Sequence, residues 1–138
     1  MSNSVTLPIY IDTYQLVREI YLMTHKFPRE FKYCLGEQLN RDVLKLLYHI
    51  FQANHIKSER VEHIRRFLAS LDMVRMELRL AHDMKVLSTR QISHLVQFLD
   101  KIVKQANAWQ KYQKDQLRKE ANEKGMPESA DIPVGSSE

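Results

Sequence analysis

Residues 26–39, KFPREFKYCLGEQL, and residues 77–88, ELRLAHDMKVLS, decide the fold of this 138-residue chain, because each marks a junction between two helices. In the first stretch Pro28 stands at a helix start, where its missing N–H costs no hydrogen bond. In the second stretch one helix ends in a charged turn and Ser88 supplies the N-cap of the next. Together the two junctions predict an all-α architecture built from helical hairpins.

Apolar residues recur every three or four positions through most of the chain, and this spacing predicts amphipathic helices. The four predicted helices span about residues 9–24, 29–54, 59–84 and 89–112, and a polar, helix-favouring stretch follows the last of them. Because short links join antiparallel neighbours, the pattern predicts an up-down-up-down four-helix bundle. Ser58 is predicted to cap the third helix, and Cys34 is interpreted as a small core residue of the second.

Charge divides the chain into two unequal parts. The whole chain carries a net charge of +4, and residues 120–138 contain five acids and one base, so residues 1–119 carry +8. We therefore predict a flexible arm at 1–8, a basic bundle at 9–119 and an acidic, largely disordered tail at 120–138. A basic body favours a polyanionic partner, either nucleic acid or an acidic protein surface. A soluble helical protein with lysine on its outside explains the charge equally well.

The cellular compartment is also predicted from composition. A single cysteine excludes an internal disulfide framework and fits a reducing compartment. The N-terminus shows no basic segment followed by an apolar run, and no apolar stretch is long enough to span a bilayer. We therefore expect a cytoplasmic protein that makes no membrane contact.

Motifs that would indicate an enzyme are missing from the sequence. A di-metal site in a four-helix bundle needs Glu-x-x-His pairs, and no glutamate here is followed by histidine three positions later. The six histidines are scattered, with no two of them four residues apart, and are interpreted as surface or boundary residues. No glycine-rich phosphate loop or nucleophile elbow is present. The sequence therefore predicts no catalytic residue, no metal and no cofactor.

The fourth predicted helix carries a row of cations. At 100° per residue, four of these cations fall within an arc of roughly 80°, and a fifth extends its edge. Such a row can follow a phosphate backbone, and Trp109 and Tyr112 lie within it, where they can stack on bases. The alternative is that Trp109 ends the core and the lysines form a solvated face. The predicted nucleic-acid-binding residues of this row are Lys101, Lys104, Lys111, Lys114 and Arg118.

The third predicted helix offers a second basic patch, made of Arg65, Arg66 and Arg79. Ordinary ion pairs within the helix, such as Arg75 with Asp72, are an alternative reading of its arginines. Their long stems can also cover the edges of the core or a subunit interface.

Two stretches of the chain resemble one protein family. KFPREFKYCLGEQL at 26–39 and LRLAHDMKVLSTRQ at 78–91 are similar to segments of the accessory variability determinant proteins of diversity-generating retroelements. The resemblance covers about residues 9–113 and leaves out both ends of the chain. Related four-helix proteins, encoded in intervening sequences of bacterial ribosomal RNA genes, are an alternative assignment. A helical scaffold that binds an acidic protein partner is another.

The resemblance implies a fold, an assembly and a role. The fold is a four-helix bundle, and the assembly is a barrel-like homopentamer with a basic surface. The role is that of a non-catalytic partner of the retroelement's reverse transcriptase. The resemblance implies that the protein engages nucleic acid, with the template RNA as the expected partner, and supports mutagenic retrohoming. From the basic face we expect binding to RNA or to an RNA–DNA hybrid. We also expect an oligomer because several aromatic residues lie off the central apolar stripes, and a single bundle has no room for all of them. These residues are Phe27, Tyr33, Phe51, Phe67 and Phe98.

Overall fold

The computed structural model describes residues 7–125, and these residues form a bundle of four long helices without a β-strand. Helix α1 is Pro8–His25, α3 is Arg60–Asp83 and α4 is Thr89–Glu123. Helix α2 has three parts: a first turn Arg29–Phe31, a π-helical turn Lys32–Gly36 and the α-helix Glu37–His55. The helices pack in a closed ring, with α2 on α1, α3 on α2, and α4 on both α3 and α1. The prediction of an all-α helical bundle is confirmed.

The ends of the chain bear on the predicted division into three parts, which stays a prediction. Residues 1–6 of the predicted arm and residues 126–138 of the predicted tail lie outside the described residues. Helix α4 continues through the polar stretch after Tyr112 and ends at Glu123, so residues 120–123 are helical.

The core follows the predicted apolar stripes closely. Burying a leucine, isoleucine, valine or phenylalanine side chain contributes about 1.5–3 kcal/mol, so the buried apolar side chains dominate the stability of the bundle. Two aromatic residues that we expected off the stripes are buried: Phe67 completely, because it continues the Ile64–Leu71–Val74 spacing, and Phe27 almost completely. The largest fully buried side chains are Leu16, Ile20, Leu39, Val43, Leu46, Ile50, Ile64, Phe67, Leu71, Leu78, Leu99 and Ile102.

The α1–α2 junction contains the feature that the sequence pattern did not predict, the π-helical turn. A π-turn holds more residues than an α-turn, and it changes which residues face the core. Gly36 is buried, and a Cβ there would lie 3.4 Å from the Phe27 ring and 3.6 Å from Cβ of Thr24. Cys34 is exposed instead of buried, and its Sγ donates to the Glu30 carbonyl at 3.3 Å. The interpretation of Cys34 as a core residue was therefore wrong.

The α2–α3 junction is capped by an arginine rather than by the predicted serine. Ser58 lies in a short 3-10 turn, Lys57–Glu59, and makes no capping bond. Nε of Arg60 donates to the Ala53 carbonyl at 2.6 Å, and its Nη2 donates to the Asn54 carbonyl at 3.1 Å. These bonds satisfy carbonyls at the end of α2 that the helix leaves without a partner.

The α3–α4 junction confirms the predicted serine cap. The Gln91 N–H donates to Ser88 Oγ at 3.1 Å, and the Ser88 N–H donates to Gln91 Oε1 at 2.9 Å, which completes a capping box. At the end of α3, Lys85 adopts φ 64, the left-handed conformation that glycine favours. The Val86 N–H donates to the Ala81 carbonyl at 2.8 Å and closes this turn.

Candidate nucleic-acid interface

All eight cations that the sequence predicted as nucleic-acid-binding residues are solvent-exposed. Five of them lie on α4 and three on α3, two helices that pack against each other. The five on α4 share its outward side because α4 is one continuous helix through the whole row. Exposure makes each of them accessible to a polyanion, but their surroundings differ. The eight residues are Lys101, Lys104, Lys111, Lys114 and Arg118 on α4, and Arg65, Arg66 and Arg79 on α3.

The two ends of the α4 row are partly neutralised by neighbouring carboxylates. Nζ of Lys101 lies 3.4 Å from Oδ1 of Asp12 on α1, and Nη1 of Arg118 lies 3.1 Å from Oδ1 of Asp115, one turn away. Both contacts are exposed, so water and salt weaken them. A phosphate can therefore compete for either cation.

The middle of the α4 row carries uncompensated positive charge. Within residues 7–125, Lys104, Lys111 and Lys114 make no ion pair. From Lys104 to Lys114 the helix rises by about 15 Å, which spans several phosphates of a nucleic acid. These three lysines are the part of the predicted site that the structure supports best.

The predicted patch on α3 is less coherent. Arg65 and Arg66 both donate to the Glu62 carboxylate, at 2.7 and 2.8 Å. These two hydrogen bonds hold the pKa of Glu62 at about 2, so the carboxylate stays charged and offsets part of their charge. Arg79 lies about 21 Å farther along the helix axis, since it is 14 residues from Arg65. The structure therefore does not bring these three arginines into one cluster.

The intrahelical ion pair predicted for Arg75 is also absent. Its Nη2 donates to Oδ1 of Asp100 on α4 at 2.9 Å, and not to Asp72. The pair joins α3 to α4, so Arg75 has a structural contact beside the α4 row.

The two aromatic residues that lie within the α4 row, Trp109 and Tyr112, have different surroundings. Trp109 is half-buried against the core, and the Arg60 guanidinium lies 6.0 Å from its ring centroid. Trp109 is therefore held by the bundle, which favours the alternative that it ends the core, and its stacking on bases stays a prediction. Tyr112 is 57% exposed and lies beside Lys111, where a base can reach its ring.

A groove between the start of α3 and the end of α4 extends the basic row. This groove was not predicted from the sequence. Its cavity volume is about 690 Å³, and Lys114 and Arg118 of the row contribute to its wall. Lys124, at the predicted start of the tail, adds a further cation because α4 continues to Glu123. The remaining lining residues are Val61, Leu117, Glu120 and Ala121.

The seam between α2 and α3 holds titratable residues that the sequence reasoning had not connected. Asp42 and Glu77 are 6% and 9% exposed, and their carboxyl groups lie close enough for each to change the pKa of the other. Burial raises the pKa of Glu77 to about 8, and the hydrogen bond and charge of Asp42 add to the effect. Burial also acts to raise the pKa of Asp42, but hydrogen bonds with Glu77, Gln38 and Lys45 lower it below its ordinary value. Glu77 is therefore the protonated partner near neutral pH.

A histidine pair lies farther along the same seam. Nδ1 of His49 is 3.3 Å from Nδ1 of His63, and Nε2 of His63 is 3.3 Å from Oε1 of Glu59. Burial lowers the pKa of His49, and the positive charge of nearby His63 and Arg66 lowers it further. His63 is buried, so the interpretation of every histidine as a surface or boundary residue was wrong for it.

Residues 7–125 also bear on two other classes of site, metal centres and membrane spans. No three residues among histidine, cysteine, aspartate and glutamate lie close enough together there to hold a metal ion. None of the helices in that part of the chain has the length and apolar character needed to cross a bilayer.

A known protein family matches most of the chain. No curated protein matches the chain. The family model described as bAvd-like matches residues 9–113, which takes in α1, α2, α3 and most of α4. Avd-like proteins are in general accessory, non-catalytic proteins. The matched region coincides with the extent of the resemblance drawn from the two helix junctions, and the chain belongs to the bAvd-like family.

Proposed function

We propose that this protein is a non-catalytic accessory protein of a diversity-generating retroelement that binds RNA, or an RNA–DNA hybrid, together with the reverse transcriptase. In this role it supports the mutagenic copying of a template repeat into a target gene, in the cytoplasm. Membership of the bAvd-like family supports the accessory role. The uncompensated charge of Lys104, Lys111 and Lys114 supports direct contact with nucleic acid.

The binding mechanism follows from charge. Each lysine that neutralises a phosphate releases counterions, so affinity falls steeply as salt rises. Contacts with the backbone carry no sequence information, and we therefore expect little sequence preference from this protein alone. Sequence choice then belongs to base pairing and to the reverse transcriptase.

We further propose that the bundle is up-down-up-down and assembles into a barrel-like homopentamer. Contacts between α1 and α4 support the antiparallel order: Asp12 accepts from Gln105 at 2.6 Å, and Glu19 lies 2.8 Å from His94. Exposed apolar side chains form patches on α1, α2 and α3, and such patches favour assembly. Single apolar side chains scattered over the surface would need no such explanation. A ring of subunits repeats the basic row and multiplies its affinity for a long polyanion.

A filter-binding series at rising salt tests the nucleic-acid contact. The variant is Lys104→Glu/Lys111→Glu/Lys114→Glu, and the RNA is a single strand without designed structure. We expect the variant to bind far more weakly, with a slope of log affinity against log salt about 2 smaller than that of wild type. Helicity and subunit number of the variant are measured first.

The matched control reverses the same amount of charge elsewhere. Lys26→Glu/Arg29→Glu/Arg90→Glu changes three exposed cations that lie outside the α4 row. We expect this control to keep most of the wild-type salt slope. Equal losses in both variants would mean that net charge, and not the α4 row, carries the binding. A wild type that binds no RNA at low salt would leave the reverse transcriptase as the partner to test, by co-purification.

A further inference from the structure

The buried acid pair lies at the bottom of an open groove between α2 and α3. The groove has a cavity volume of about 550 Å³, and Asp42 and Glu77 are both among its lining residues. Nε2 of Gln38 donates to Oδ2 of Asp42 at 2.9 Å, and Nζ of Lys45 lies 3.4 Å from its Oδ1. Oε1 of Glu77 is buried and has no hydrogen-bond partner within the described residues. A buried carboxyl oxygen without a donor is costly, and Glu77 forms part of the wall of this open groove.

The groove is one edge of an apolar face on α3. Met73 lines the groove itself, and Met76, Leu80 and Met84 continue the stripe along the helix. Each of these four side chains is about half exposed or more. Methionine is flexible and makes favourable contacts with aromatic rings, so this face suits an aromatic partner surface. We call the groove together with these residues the methionine face.

A second apolar face lies between α1 and α2. Its groove is lined by four largely exposed apolar or aromatic residues, Tyr14, Tyr21, Leu22 and Leu44, and by Arg18 and Val17. Arg18 is exposed and makes no ion pair within residues 7–125. We call this set the tyrosine face. Tyrosine and arginine are the residues most enriched at the energetic centres of protein interfaces.

We infer that the two faces meet between neighbouring subunits, and that Arg18 of one copy enters the acid groove of the next and donates to Glu77 and Asp42. The inference rests on the proposed assembly and names the residues that would hold it together. The charges are complementary, since one apolar face contains an exposed cation, Arg18, and the other contains a buried acid pair. The ring chemistry is complementary as well, because tyrosines would pack on methionines.

Because the two faces are different surfaces of the same subunit, the contact between them also determines the kind of assembly. A contact between unlike patches is heterologous, so it closes into a ring or continues as a filament, and it does not give a twofold dimer. Arg18 would supply the donor that Oε1 of Glu77 lacks in a single subunit. Each groove is therefore incomplete without the neighbouring copy.

The test measures subunit number against concentration, by sedimentation velocity on the full chain. The variants are Arg18→Gln and Glu77→Gln, which remove the charge and keep polar side chains of similar shape. We expect each variant to raise the concentration at which rings dissociate by at least about tenfold, as loss of one member of a buried charge pair does. Arg90→Gln, an exposed arginine on neither face, is the control and should match wild type.

The double variant shows whether the two residues touch each other. If Arg18 and Glu77 meet across the interface, Arg18→Gln/Glu77→Gln should dissociate little more readily than the more severe single variant. Additive effects would overturn the direct contact. Variants that assemble like wild type would overturn the inference and leave the proposed assembly standing, whereas a wild type that stays monomeric at every concentration would overturn both. Wild-type assembly combined with lost binding of the reverse transcriptase would overturn it too, by identifying that enzyme as the occupant.

Discussion

The acid pair makes the stability of a single subunit depend on pH through Glu77. In the folded subunit this carboxyl keeps its proton up to a pKa of about 8, because burial and the Asp42 charge disfavour its ionised form. In the unfolded chain it ionises near its ordinary value of 4.5. The folded state therefore binds more protons between these two values, and the free energy of unfolding falls as pH rises through that interval.

The size of the effect follows from the shift. One pKa unit corresponds to about 1.4 kcal/mol, so the full interval corresponds to roughly 5 kcal/mol. Lys45 is mostly exposed and stands beside Asp42, so its ammonium group can turn toward an ionised Glu77 and offset part of this loss. We expect a measured loss of about 2–3 kcal/mol between pH 5 and pH 9.

Glu77→Gln isolates this contribution. The amide is always neutral and can still donate to Asp42, so the variant should lose the falling stability and exceed wild type above pH 8. Urea unfolding is followed by circular dichroism at several pH values, at a concentration where wild type is monomeric. Glu123→Gln, at the exposed end of α4, is the control and should keep the wild-type slope. If Glu77→Gln and wild type show parallel pH profiles, the carboxyl is not protonated in the folded subunit and the reasoning is refuted.

Two further changes test the fold. Leu46→Asp or Leu71→Asp places an unpaired charge at a position with no exposed surface. We expect either variant to unfold, because the buried charge costs several kcal/mol, comparable to the whole stability of a domain. Full helical circular dichroism with an unchanged melting point would show that the core is misassigned. Lys85→Gly relieves a left-handed backbone conformation, so we expect the free energy of unfolding to rise by about 0.5–1 kcal/mol. The control is Lys124→Gly, because Lys124 has a φ of −87 and needs no glycine.

The helices and their core faces could be predicted from the sequence because burial follows helical periodicity. Leu39, Leu46 and Ile50 sit on one stripe whatever the partner helices are, and all three are completely buried. The π-helical turn could not be predicted in this way, since periodicity analysis assumes one constant angle per residue. That assumption placed Cys34 in the core, whereas the wider turn exposes it.

The candidate site was likewise predictable only in part from the sequence. Exposure of Lys104 and Lys111 follows from the outward side of one helix, so the α4 row was predictable. Contacts between helices were not, because they depend on register: Arg75 pairs with Asp100 on α4, and Trp109 meets Arg60 on α3. The family was predicted from short junction motifs, and the family model that matches residues 9–113 confirms it. Such motifs identify relatives without locating any contact.

In the inferred ring, the same carboxyl would give folding and assembly opposite responses to pH. Ionised Glu77 weakens the isolated subunit, because it faces Asp42 without a donor for Oε1. In the inferred ring a guanidinium group stands beside it and favours the ionised form, so each contact formed near neutral pH releases a proton. Linkage then requires assembly to strengthen as pH rises toward 8, over the same interval in which the single subunit loses stability. A charged groove that is unfavourable alone, and that the inferred contact with a second copy satisfies, would thus favour the assembled state over the free subunit.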